Sequence, residues 1–448
     1  MLVFPLRFPP TERRQRILHL SMPIIGGMLS QNVLNLVDTA MVGSLGNAAL
    51  AAVGMGGFIN WMTMAFITGL ATGVQAMASR RVGEGRENES AVPLNGGLLL
   101  SLALAAPWTL LLFFFAPTIF GWMNPDPEVV RIGGAYLQAR LLGMVAVAMN
   151  YSFRGYWNGV GLSQIYMRTL IVMHISNVIL SWCLIYGKFG LPAMGATGAG
   201  LGTTLSTYIG TAMYIFQAFK LARHNGFLKS IPRGETLMTM LKVSIPAGLQ
   251  QLFFAGGMTA FFWIVGKVGT QELAASNVLV NIMLVGILPG LAFGLASATL
   301  VGQALGRKDL DDAKRWAWDV SKIAMTGVGL ITLPAVLFPD FFLGFFLHDA
   351  ATLSLARWPL RLVALTMAWD TLGSVIMQSL LGAGDSQRVM YVSIGFQWLL
   401  YLPLLYAGTV WGGMTLLMVW VAQIVYRATQ TLIFVGMWQQ EKWKRVKV

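Results

Sequence analysis

Twelve stretches of this chain stay apolar for long enough to cross a lipid bilayer, and that repetition limits its fold more than any other feature. They fall at about 17–42, 51–78, 92–116, 130–153, 168–187, 196–219, 243–266, 273–301, 320–338, 355–381, 388–407 and 412–438. A spanning helix needs roughly 20 apolar residues. Inside hydrocarbon every backbone N–H and C=O must be satisfied within the protein, and continuous apolar runs of this length do that as helices. Several runs exceed the bilayer thickness, so tilt or protrusion into water is expected. Only 11% of the 448 residues are charged, against about a quarter in soluble proteins. The mean hydropathy is +0.65, which leaves no room for a large soluble domain. The expected fold is an all-α integral membrane protein of 12 transmembrane helices.

The net charge of +13 reads as a topology signal. Of 31 basic residues, 24 fall on one set of alternate connections and on the termini. Examples are Arg7, Arg13, Arg14 and Arg16 at the start, Arg80, Arg81 and Arg86, Lys220 to Lys242, Arg307 to Lys322, and Lys442 to Lys447 at the end. The positive-inside rule then makes both termini and the 220–242 connection cytoplasmic. The expected setting is a multi-pass protein of a cell membrane, by expectation the bacterial inner membrane, with lipid and not nucleic acid around it. The single cysteine, Cys183, lies in an apolar span and gives no disulfide framework or cysteine metal cluster. No small-residue cleavage pattern follows the basic start, so the first helix is expected to remain uncleaved.

The chain also repeats itself at an offset of 223 residues. Ser21 and Pro23 pair with Ser244 and Pro246; Val42, Gly43 and Gly46 with Val265, Gly266 and Gly269; Gly83 with Gly306; and Gly159, Gly161, Ser163 and Gln164 with Gly382, Gly384, Ser386 and Gln387. Six spans per copy is an even number, so both copies enter from the same side. The expected organisation is an N-lobe over 1–225 and a C-lobe over 226–448, related by an axis along the membrane normal with a cavity between them. Small residues four apart, such as Gly69 and Gly73, Gly198 and Gly202, and Gly286, Gly290 and Gly294, allow close helix packing. Pro23, Pro246, Pro289 and Pro403 permit kinks.

A duplicated scaffold shows its specialisation where the copies differ. Asp38 is the only acid of the first span and pairs with Phe261; Asp370 pairs with Val147. No other acid lies well inside a span. A carboxylate facing lipid costs several kcal/mol, so each must face protein or water. Asp38 shares a helical stripe with Gln31 and Asn35, which makes it the first choice for a proton or cation site. Asp370 is a possible second site, or the partner of an arginine. Other polar groups of the first half that face a cavity by expectation are Tyr136, Asn150, Tyr151, His174, Asn177, Ser181 and Thr203. Arg140 and Arg427 need an acid, an interface or a cavity to make sense inside a membrane. There is no His-Glu-x-x-His run, no G-x-S-x-G elbow and no P-loop. The reading is therefore not an enzyme, with no cofactor and no bound metal beyond a possible Na⁺ at Asp38. Uphill work must draw on an ion gradient.

These residues resemble the multidrug and toxic compound extrusion (MATE) family along nearly the whole chain. The resemblance rests on the 6+6 repeat, the Gln31…Val37-Asp38-Thr39-x-Met41-Val42-Gly43 pattern, and the paired Gly83 and Gly306. Arg154-Gly155-Tyr156-Trp157-Asn158-Gly159-x-Gly161, followed by Asn177, is similar to the DinF-like branch. It implies a V-shaped pair of six-helix lobes, with Asp38 as the coupling carboxylate and Gln31, Tyr136 and Asn177 near it. Two positions depart from the pattern: Ser181 stands where DinF-like members carry a second Asp, and Gln250-Gln251-Leu252-Phe253-Phe254 lacks the NorM-like seventh-span Glu. The resemblance implies cation-coupled export of small amphipathic and often cationic compounds; the expected mechanism is antiport by alternating access in a monomer, with H⁺ as the expected coupling ion in preference to Na⁺. The alternative is a flippase for a lipid-linked precursor, whose basic cavity the two deep acids oppose.

Overall fold

The computed structural model describes residues 8–446, and among them secondary structure is helical with no strand. Arg7 and Lys447 of the basic set lie outside the described residues. The elements run α1 Thr11–Gly43, α2 Asn47–Ile67, α3 Gly69–Gly83, α4 Val92–Met123, α5 Pro127–Leu141, α6 Met144–Gly159, α7 Ser163–Tyr186 and α8 Gly195–Leu221. The second half continues with α9 Gly234–Val268, α10 Thr270–Gly306, α11 Leu310–Leu337, the short α12 Pro339–Gly344, α13 Ala350–Gly382, α14 Ser386–Ile394, α15 Leu402–Val410 and α16 Leu416–Gln439. Between α14 and α15 the chain keeps coiling through a π-helical turn, Gly395–Tyr401.

The apolar runs locate the helices, but most helices are longer than their runs. α9 starts at Gly234 and α11 at Leu310, because polar turns extend them beyond the apolar windows. Among the described residues ten helical rods are long and apolar enough to cross a membrane, and α5 with α6, bent by 46°, makes an eleventh. The twelfth expected span is α8, a helix of 27 residues whose glycines and threonines dilute its hydropathy. Pro23, Pro246 and Pro289 lie inside unbroken helices. The second and fourth spans break instead at Thr68 and at Leu142–Gly143, where there is no proline.

The chain packs into two units. One is Pro23–Gly248; the other is Met1–Met22 with Leu249–Val448. These divisions differ from the sequence halves at 1–225 and 226–448, because each half gives its leading helical turns to the other unit. The first turns of α1 carry Arg13, which bonds Asp312 at 2.6 Å and Asp319 at 2.7 Å, and Arg16, which bonds Gln303 at 2.7 Å. Arg13 also lies 3.5 Å over the ring of Trp316. The first turns of α9 sit on a glycine face of α3, where a side chain at Gly69 or Gly73 would collide with Ser244.

Each unit repeats the other's internal packing. In the Pro23–Gly248 unit α2 meets α5, α3 meets α6, and α4 meets both α5 and α6. In the second unit α10 meets α13 and α11 meets both. The offset of 223 survives at single residues. A Cβ at Gly159 would lie 2.9 Å from the Gln75 carbonyl oxygen, and one at Gly382 would lie 2.5 Å from Ala298 backbone atoms. Gln75 and Ala298 are themselves 223 apart. At this crossing the backbones touch, so only glycine fits.

Candidate functional site

In the Pro23–Gly248 unit the charge-bearing groups inside the helices are few. Asp38 lies near the end of α1 and is half-buried. Its buried Oδ1 has no hydrogen-bond partner among the described residues. Arg140, near the end of α5, acts on Asp38 through space, and its own Nε is buried without a partner. Tyr136, one turn before Arg140 on α5, feels both charges. It is 8% exposed and packs with Val42, Ala49, Ile185, Ala196 and Ala199. Asp38, Tyr136 and Arg140 therefore form one electrostatic group built by α1 and α5. The acid is held close to a positive charge and is not consumed by an ion pair.

Gln31 and Asn35 serve a neighbouring feature. The Gln31 amide donates to Asn35 Oδ1 at 3.2 Å along α1, and its Oε1 lies 3.0 Å from His174 Nε2. The other ring nitrogen of His174 lies 3.0 Å from Ser30 Oγ, whose single O–H serves either that nitrogen or the Gly27 carbonyl 2.8 Å away. One imidazole from α7 thus meets two successive residues of α1, Ser30 and Gln31. Ser30 was not among the sequence candidates; its signal is its place beside Gln31 on a helix that needs polar partners.

The remaining candidates point into helix packing. Asn177 is 1% exposed and donates to Ser206 at 3.5 Å, while Ser181 donates back to Asn177 at 3.4 Å. Asn150 donates to the Thr207 carbonyl at 3.2 Å and accepts from Thr211 at 2.8 Å. Thr203 bonds the Ala199 carbonyl of its own helix at 3.0 Å. The ring of Tyr151 lies 4.5 Å under the Arg154 guanidinium. These groups bond to one another and to backbone carbonyls across α6, α7 and α8.

The second unit holds an open cavity of about 530 Å³ lined by α9, α10, α13, α14, the π-helical turn and α16. Its walls are apolar and aromatic, with Phe254, Phe261, Met283, Met367, Trp369 and Trp420. Asp370 lies in that wall and accepts from Arg427 Nε at 2.6 Å. Arg427 also donates to Gln430 Oε1 at 3.0 Å, and Gln430 donates to the Tyr426 hydroxyl at 3.3 Å. The π-helical turn brings Gln397 into the lining, seated where Gly257 leaves no room for a side chain. Such turns often accompany functional sites, because the extra residue re-aims a side chain. Asp370 and Arg427, both noted in the sequence as in need of a partner, are each other's partner. Among the described residues no group of three or more His, Cys, Asp or Glu side chains is arranged to hold a metal ion.

Comparison with known proteins bears on the whole chain. The family model described as MatE matches residues 23–183 and 246–407, two blocks whose starts are again 223 apart. A probable multidrug resistance protein NorM of Mannheimia succiniciproducens is 28% identical over 399 residues, covering 86% of this chain and 84% of the relative. One of Thermotoga maritima is 23% identical over 440 residues, covering 96% and 94%. Among solved structures, a multidrug resistance MATE family transporter of the MOP superfamily in an outward-facing conformation superposes with a TM-score of 0.88 at 22% identity, over 96% of this chain and 95% of that one. A MOP superfamily transporter from Pyrococcus furiosus superposes with a TM-score of 0.87 at 20% identity, with the same coverage. At these identities the solved structures speak to the fold.

Proposed function

The chain belongs to the MatE family, a family of membrane transporters and not of enzymes, and from that premise we propose that it is a multidrug antiporter of a bacterial inner membrane. In this reading it exports small amphipathic compounds, many of them cationic, in exchange for protons, with both termini in the cytoplasm. The observation that carries the coupling role is the state of Asp38. It is the one acid well inside a span of the first half, its buried Oδ1 lacks a partner, and Arg140 stands nearby without closing an ion pair with it. A carboxylate left in that condition binds and releases a cation with little rearrangement of its neighbours. The relatives that share the fold along nearly their whole length are named as multidrug resistance proteins.

The mechanism follows from charge. With Asp38 ionised, the group Asp38, Tyr136 and Arg140 is balanced, and a proton arriving from outside neutralises the acid. Arg140 is then left without a counter-charge, so cationic cargo is repelled from this part of the unit and α1 loses an electrostatic tie to α5. His174 holds α1 through Ser30 and Gln31, so the change is passed along a helix fixed at its middle. One charge crossing about 100 mV supplies roughly 2.3 kcal/mol. At about 1.4 kcal/mol per tenfold ratio, that sustains a gradient of roughly fifty-fold.

Proteoliposomes loaded with a fluorescent cationic dye test the reading. An imposed inward proton gradient drives efflux from wild-type vesicles, and an imposed Na⁺ gradient at constant pH does not. Efflux driven by Na⁺ alone moves the coupling from protons to sodium; dye retention under both gradients refutes export of this class.

A further inference from the structure

The chain has four histidines. His19 lies in the first turns of α1, and His224 and His348 lie in connections. His174 sits well inside α7 and is 8% exposed. A histidine is the side chain whose ordinary titration falls nearest to physiological pH, so a buried one bonded to a neighbouring helix invites the question of how many protons its surroundings accept.

The contacts of this ring compete for hydrogens. Gln31 donates its amide N–H to Asn35 Oδ1 at 3.2 Å, which turns Gln31 Oε1 toward the ring. That oxygen and the Gly27 carbonyl are acceptors without a hydrogen to give. His174 Nε2, 3.0 Å from Gln31 Oε1, therefore carries a hydrogen. Ser30 Oγ has one hydrogen and two acceptors in reach, His174 Nδ1 at 3.0 Å and the Gly27 carbonyl at 2.8 Å. With a neutral ring, one of these three contacts goes without a hydrogen. A proton on Nδ1 supplies it. Nδ1–H then donates to Ser30 Oγ, the hydroxyl turns to the Gly27 carbonyl, and all three contacts become hydrogen bonds with no heavy atom displaced. The two bonds from the ring to α1 are then charge-assisted, which makes each roughly twice as strong as a neutral one.

The other charged and titratable groups of the surrounding helices are engaged elsewhere. On α1, Asp38 lies two turns beyond Gln31, beside Arg140. On α6, Arg154 lies over the ring of Tyr151. On α7 itself, Tyr166 lies against Gly27, Tyr186 donates to the Met41 carbonyl at 3.0 Å, and Arg168 and Cys183 are six and nine residues away along the helix. On α8, Tyr208 donates to the Leu142 carbonyl at 2.8 Å, Tyr214 to the Tyr166 carbonyl at 3.5 Å, and Lys220 lies in the last turn. Among the described residues the ring's hydrogen-bond partners are Ser30 and Gln31, so a proton arriving here is held by neutral oxygens and not by an acid. Gln31 and Asn35 are exposed and give it a polar approach.

We propose that His174 is a second proton-binding site of the Pro23–Gly248 unit, with Ser30 as the hydroxyl that reverses its bond when the proton arrives, and that occupancy tightens the hold of α7 on α1. The site deepens the antiporter reading and rests on it only in that protons reach this unit during transport. Asp38 remains the coupling charge. The proton at His174 sets how firmly the helix that carries Asp38 is held.

Nitrogen NMR of the full-length protein, purified in detergent and labelled with ¹⁵N in the histidine rings, tests this. His174→Gln identifies the His174 signals by their absence. At neutral pH the hydrogen of the wild-type ring is expected on Nε2, with Nδ1 bare. On acidification Nδ1 gains a hydrogen while Nε2 keeps its own. In Ser30→Ala the same step needs more acid by about one pH unit, the size of one lost hydrogen bond to a charged group. A neutral ring with its hydrogen on Nδ1, a ring that stays neutral at every pH at which the protein is folded, or a Ser30→Ala protein that titrates with the wild type each overturns the proposal. If Ser30→Ala does not fold, the tautomer and the wild-type titration decide. The spectra involve neither cargo nor gradient, so a ring that fails to titrate defeats this site alone, and absent dye efflux beside a titrating ring defeats the antiporter reading alone.

Discussion

The two units carry one deep acid each, and they treat it in opposite ways. In the Pro23–Gly248 unit Asp38 is near a positive charge and keeps an unpartnered oxygen. In the other unit Asp370 is closed onto Arg427, which is itself tied to Gln430. The helices differ in the same sense. The first unit bends its fourth span by 46°, whereas the equivalent α13 runs unbroken for 33 residues. One copy of the repeat thus has a bent fourth span and an acid outside any ion pair; the other has an unbroken equivalent, a π-helical turn in its fifth span, a paired charge and a large apolar cavity. Duplication supplies two scaffolds with the same neighbours, and the copies differ by single charges, Asp38 standing opposite Phe261 and Asp370 opposite Val147.

The largest effect that would break this comparison is at Asp38. Asp38→Asn keeps the shape and removes the charge, and proton-driven dye efflux is expected to fall to the level of empty vesicles while the protein remains folded in the membrane. Next is Arg427→Gln, which strands Asp370. Breaking a buried pair costs roughly 3–5 kcal/mol, and with a quarter of each side chain exposed the low end applies. Thermal unfolding in detergent should show that loss, and the double variant with Asp370→Asn should recover most of it. A third test compares the two glycine crossings. Gly382→Ala must displace backbone 2.5 Å away and Gly159→Ala an oxygen 2.9 Å away. Overpacking of this kind costs about 1–3 kcal/mol, with Gly382 at the higher end and Gly159 at the lower. The smallest effect is at Ser30. Ser30→Ala removes one of the two bonds that His174 makes to α1, worth about 0.5–1.5 kcal/mol, and leaves efflux within a few-fold of wild type.

Much of the scaffold was legible because membrane insertion writes itself into the sequence as uninterrupted apolar length. The 223-residue offset was legible because helix crossings demand glycine at fixed places, as Gly159 and Gly382 show. Asp38 stood out because nothing around it in the chain explains a charge. The partner of Asp370 did not, since Arg427 is 57 residues away on another helix and only packing decides which of several arginines reaches it. The breaks at Thr68 and Leu142–Gly143 were hidden for a related reason. Proline marks where a helix can bend, but Pro23, Pro246 and Pro289 lie in helices that their neighbours hold continuous, while the observed breaks fall beside Gly69 and Gly143. Asn150, Asn177 and Thr203 have the composition of a site, and which groups they bond is a property of packing that spacing alone does not contain.

The central claim, that the unpaired acid couples and the paired acid does not, is tested most directly by substrate-induced proton movement. A pH-sensitive dye sealed in proteoliposomes follows proton entry when internal cargo is allowed to leave. Wild type and the charge-balanced Asp370→Asn with Arg427→Gln variant are expected to move protons with export, and Asp38→Asn to move none. Proton movement that persists in Asp38→Asn, or that vanishes only when Asp370 is replaced, would contradict the account.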